Sequence, residues 1–79
     1  MDRAAVGQRL AKIEERIANG LREIAEQRQV IAVLERHGSA ADHARYLLAG
    51  LELLQAAHRD GRNRLLKKLH GRRDSADAW

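Results

Sequence analysis

Along the first half of the chain, Val6, Leu10, Ile13, Ile17, Gly20, Ile24, Gln27, Ile31 and Leu34 follow one another at alternating intervals of four and three residues. In the second half Ala44, Leu47, Leu51, Leu54, His58, Gly61, Leu65 and Lys68 alternate three and four. Both rows have the spacing of helices packed side by side along a single stripe. Only one stretch between them reads as a turn, His37-Gly38-Ser39. Gly38 suits the left-handed residue that ends a helix, and Ser39 with Asp42 three residues on forms a capping box for the next helix. The pattern predicts an all-α chain. Residues 1–73 form a single two-helix antiparallel coiled-coil hairpin, with helices over about 2–36 and 40–70 and a turn at 37–39. Gly71 offers a second stop, and residues 74–79 are expected to be a flexible C-terminal tail ending in Trp79.

A hairpin folded at Gly38-Ser39 pairs positions whose numbers total about 78, so that Leu34 meets Ala44, Ile31 meets Leu47 and Ile24 meets Leu54. The expected hairpin core is Leu10, Ile13, Ile17, Ile24, Ile31, Leu34, Leu47, Leu51, Leu54 and Leu65. In that register Gly20 faces His58 and Gly61 faces Ile17. A mid-helix glycine costs roughly 1 kcal/mol, so two of them opposite larger residues point to close helix approach.

Two helices alone leave apolar surface over. Leu21, Leu48 and Leu69 flank the main stripe, as do Val30 and Val33 near the turn. Ala4, Ala11, Ala18, Ala25 and Ala32 recur every seven residues. Alanine is the best helix former and common here, but a row of small side chains also lets another helix come close. The expected dimer interface is Ala11, Ala18, Leu21, Ala25, Ala32, Leu48 and Leu69, closing two hairpins into a four-helix bundle. Parallel and antiparallel arrangements both satisfy this pattern.

Composition narrows the chemistry. The 79 residues contain no proline, phenylalanine or cysteine, which removes disulfides, thiol chemistry and cysteine-based zinc sites. The longest apolar run, Val30–Leu34, is far too short to span a membrane or to form a signal-peptide core, so a cytoplasmic protein is expected. Ser39 and Ser75 have no His-acid arrangement nearby, and no phosphate loop or His-Glu-x-x-His motif occurs. The carboxylates are scattered along polar faces, and pairs such as Asp60 with Arg64 have the spacing of solvated helix ion pairs. His37 and His43 flank the turn, but two ligands do not make a structural zinc site. His70 sits near a helix C-terminus and His58 on the core stripe, both ordinary structural places. The expectation is a protein that is not an enzyme and holds no cofactor or metal.

Charge is the most suggestive functional feature. The net charge is +4, yet residues 17–58 carry four arginines against five carboxylates, and the remainder carries eleven basic residues against six acidic. Arg59, Arg62, Arg64, Lys67, Lys68, Arg72 and Arg73 crowd the open end of the hairpin, where they could neutralise phosphates. No aromatic side chain lies among them to stack bases, since Tyr46 is near the turn and Trp79 in the tail. The first expectation is therefore a homodimeric protein-protein interaction module with a further, unidentified protein partner. The alternative is RNA or DNA binding through the basic end.

The stretch from Gln27 to Leu69 resembles a group of short alphaproteobacterial helical-hairpin proteins. The resemblance is carried by Gln27-Arg28, Ile31, Leu34-Glu35, Gly38, Ala44, Leu47-Leu48, Leu51-Glu52, His58 and Arg64-Leu65. It implies a bacterial, cytoplasmic origin and assigns no activity.

Overall fold

A computed structural model describes the backbone of residues 2–77 and the side chains of residues 2–70. It contains two helices, α1 (Arg3–Arg36) and α2 (Asp42–Asp77), packed against each other in a rod of 62 × 22 × 14 Å. Asp2 caps α1, its carboxylate accepting from the Ala4 amide at 3.0 Å. That bond satisfies one of the donors a helix start leaves free.

The end of α1 follows from Gly38. It adopts φ +68, and from there its own amide donates to the Glu35 carbonyl while the Ser39 amide donates to Leu34 at 2.9 Å. This is a Schellman closure. Gly38→Ala should cost about 1 kcal/mol, because an L side chain is strained at that angle. A urea titration followed by helical circular dichroism measures it, and an unchanged midpoint would contradict the geometry.

The turn is longer than the pattern predicts. Helix α2 starts at Asp42 rather than Ala40, so Ser39 stands too far upstream to cap it. Ala41 takes the cap position, its carbonyl accepting from Arg45 at 2.9 Å. The reason is packing: Ala41 and Ala44 are buried with Ile31, and the chain uses residues 39–41 to descend from the end of α1 to that contact. The far end also differs. Gly71 does not stop α2, which continues to Asp77 with no proline to break it. The backbone of 74–77 is therefore helical, and Ala78 and Trp79 lie outside the described residues.

The α1 half of the seam is the row read from the sequence. Val6, Ile17, Ile24 and Ile31 are buried, and Leu10, Ile13, Gly20, Gln27 and Leu34 are half-buried. The other half of the seam is Ala41, just ahead of α2, and Ala44, Leu48, Leu51, Gln55, His58, Arg62, Leu65 and Leu69 on it, all buried or half-buried. This row shares Ala44, Leu51, His58 and Leu65 with the predicted one, whose Gly61 is also half-buried against Ile13, but takes its other members from the opposite side. Leu47 and Leu54, expected in the core, are 46% and 53% exposed. Leu48 and Leu69, expected at a dimer interface, belong to the seam instead, Leu48 packing on the Ile31–Ala41–Ala44 cluster.

Candidate interaction surface

Two glutamines tie the helices together. From α1, Gln27 Nε2 donates to the Ala44 carbonyl at 2.9 Å; from α2, Gln55 Nε2 donates to the Ile17 carbonyl at 2.9 Å. The two straps are reciprocal, each helix lending a side-chain donor to the other's backbone. Gln55 is 3% exposed, the one buried polar residue among those described, and its Oε1 has no hydrogen-bond partner. That oxygen fills the notch at Gly20, where a Cβ would overlap it and lie 2.9 Å from Gln55 Cδ. Gly61 makes a second notch, a Cβ there falling 2.7 Å from Ile13 Cδ1. Close approach at both glycines is thus real, with Gln55 and Ile13 as the neighbours rather than His58 and Ile17. Contacts across the middle of the seam join positions totalling about 71 to 75, and the ion pairs at its edge join positions totalling 80, on either side of the predicted 78.

The seam has two unlike edges. On one, Arg28 pairs with Glu52 at 3.2 Å and Glu35 with Arg45, both from helix to helix. These side chains are about half exposed, so the pairs contribute at most ~1 kcal/mol each, and their role is to close that edge with charge. The opposite edge is formed by the row Arg9, Arg16, Glu23 and Val30 on α1 and the row Leu47, Leu54, Gly61 and Lys68 on α2, each at intervals of seven. No interhelical ion pair crosses it among the described residues. Two clefts open there instead. One, of about 140 Å³, lies near Gly20 and is lined by Arg16, Glu23, Leu51, Leu54, Gln55 and His58. The other, of about 300 Å³, lies at the open end between Arg9, Ile13, Gly61, Arg64, Leu65 and Lys68.

Of the expected nucleic-acid residues, the structure brings Arg64 and Lys68 into the second cleft and adds Arg9 from α1, which the sequence reading missed. Arg59 and Lys67 are exposed but do not line it, and Arg62 is half-buried in the seam, its Nε donating to Asn63. The side chains of Arg72 and Arg73 lie outside the described residues. The seven cations therefore do not form one face. Of the expected dimer residues, Leu21 is exposed on the α1 side of the ion-paired edge, and Ala11, Ala18, Ala25 and Ala32 are exposed on α1 beyond it. His37 and His43 are exposed, and no group of three or more His, Cys, Asp or Glu residues among those described could hold a metal ion. No helix among the described residues is long and apolar enough to cross a membrane.

No protein-family model matches the chain, and comparison with the curated proteins and with solved structures finds no match.

Proposed function

We propose that this chain is a small non-enzymatic interaction module of bacterial cytoplasm that works as a homodimeric helical bundle. One observation carries the reading: no large side chain among those described is fully buried, while Leu21, Val30, Val33, Leu47, Leu53 and Leu54 are 42% to 73% exposed. A seam between two helices has no interior, and apolar surface left in water is a standing cost. The accessible surface is 6278 Å², whereas a compact chain of this mass exposes about 4,800 Å². That excess exceeds the ~800 Å² each partner loses in a standard interface. The radius of gyration, 18.2 Å, is likewise well above the ~12 Å of a compact chain this long.

The convergence of Arg9, Arg64 and Lys68 on one cleft supports a second reading, phosphate-backbone binding at the open end. Sedimentation equilibrium at moderate salt, read at protein and nucleic-acid wavelengths, separates the two. We expect a dimer mass without nucleic-acid absorbance. A monomer mass at micromolar concentration would end the first reading. A heavier species carrying nucleic acid, lost as salt is raised, would establish the second.

A further inference from the structure

The two edges of the seam differ in what they leave for a partner. The ion-paired edge is crossed by Arg28–Glu52 and Glu35–Arg45, and a partner laid there would have to desolvate four charges. The opposite edge is mostly apolar over its turn-proximal half, where Val30 is 46%, Leu47 46% and Leu54 53% exposed, with Val33 beside them, Leu51 in the cleft wall and Glu23 the one charged residue, beside Leu54. Its other half is basic, with Arg9, Arg64 and Lys68 around one cleft and Arg16 at the next.

Those two halves decide orientation as well as place. In a parallel pair each level of one hairpin faces the same level of its copy, so both sets of Arg9, Arg64 and Lys68 would be pressed together at one end. Like charges juxtaposed across an interface strongly disfavour that arrangement. In an antiparallel pair whose twofold passes through the apolar half, Leu47 and Leu54 of one copy meet Leu54 and Leu47 of the other. The two basic ends then point outward at opposite extremities of the rod.

We propose that a second copy of this chain seats on the Val30–Leu47–Leu54 edge, antiparallel to the first. The inference rests on the reading of self-association and adds its face and direction. The pair leaves the Arg9–Arg64–Lys68 clefts open at its two ends, and the Ala11–Ala32 row on its outer surface.

The chain has no cysteine, so single cysteines report neighbours cleanly. Gly50→Cys lies beside the apolar half, where a side chain meets nothing within 4 Å. Lys68→Cys marks the basic half and Leu21→Cys the ion-paired edge. With a short bismaleimide cross-linker, Gly50→Cys should be captured as covalent dimer, and the other two should stay monomeric on a denaturing gel. Capture of both Gly50→Cys and Lys68→Cys would make the pair parallel and overturn the direction. Capture of Leu21→Cys in place of Gly50→Cys would overturn the face. Leu47→Asp provides an independent reading. The site is half-exposed in the single hairpin, so helicity should be retained while sedimentation mass falls to that of one chain. A variant that remains dimeric would overturn the proposed face. A chain that is monomeric without any substitution would instead defeat the self-association reading itself.

Discussion

Gly20→Ala is expected to lower stability by about 2 kcal/mol, although alanine is the better helix former by roughly 1 kcal/mol. The added methyl would overlap Gln55 Oε1 and lie 2.9 Å from its Cδ. The glutamine cannot tilt aside cheaply, because it is 97% buried and its Nε2 is held on the Ile17 carbonyl. Either the helices separate, an overpacking cost of about 1–3 kcal/mol, or the strap is released and its hydrogen bond lost, about 1 kcal/mol more. Gly7→Ala is the matched control. A methyl there meets nothing within 4 Å, so the same change inside the same helix should stabilise by up to ~1 kcal/mol. Urea unfolding at one fixed protein concentration compares the two. A Gly20→Ala midpoint equal to that of Gly7→Ala would mean that Gln55 does not occupy the notch. If the notch is the cause, Gln55→Ala should cost less in the Gly20→Ala background than alone, as expected of two residues in contact.

How well each half of the seam could be read from the sequence follows from the rows competing on each helix. On α1 seven of the ten β-branched and leucine residues, Val6, Leu10, Ile13, Ile17, Ile24, Ile31 and Leu34, fall on one stripe, so one face was the clear choice to bury. On α2, Leu47, Leu48, Leu51, Leu53 and Leu54 surround the helix, and two rows with the same spacing share Ala44, Leu51, His58 and Leu65. Hydrophobicity favoured Leu47 and Leu54, while the structure takes Leu48, Gln55 and Leu69. The deciding residues are poor hydrophobic signals: Ala41, small enough to pack under Ile31, and Gln55, polar but matched to the notch at Gly20. Gly38 was legible because its left-handed angle is a local demand. The start of α2 was not, since Ala40 and Ala41 are good helix formers and the Ser39–Asp42 box fits a helix that the packing of Ala41 forbids. The same limit holds for the basic cleft. Arg64 and Lys68 are one turn apart on α2, and the hairpin register places Arg9 of α1 level with Lys68, a cross-helix neighbour that a search along one helix does not reveal.

Ile24→Asp should unfold the chain. Ile24 is 8% exposed in the middle of the seam, and a carboxylate put there loses water and gains no partner, a cost of several kcal/mol. A single core of this size rarely supplies more than ~3–5 kcal/mol, and this one lacks the enclosed interior that would let it exceed that range. The predicted outcome is loss of most helical circular dichroism at 25 °C rather than a lowered midpoint, because neither helix keeps its packing face and helices in isolation are marginal in water. Leu53→Asp separates burial from hydrophobicity as the cause. Leu53 is the larger hydrophobic loss by eye, lying within a leucine-rich run, yet it is 73% exposed on the outer face of α2. Its replacement should leave helicity unchanged and the thermal midpoint within the ~0.5 kcal/mol typical of surface changes. Should the two variants melt alike, the stripe from Val6 to Leu34 would not be the buried face. The straps at Gln27 and Gln55 would then have nothing to hold together, since both lie on that seam and donate across it.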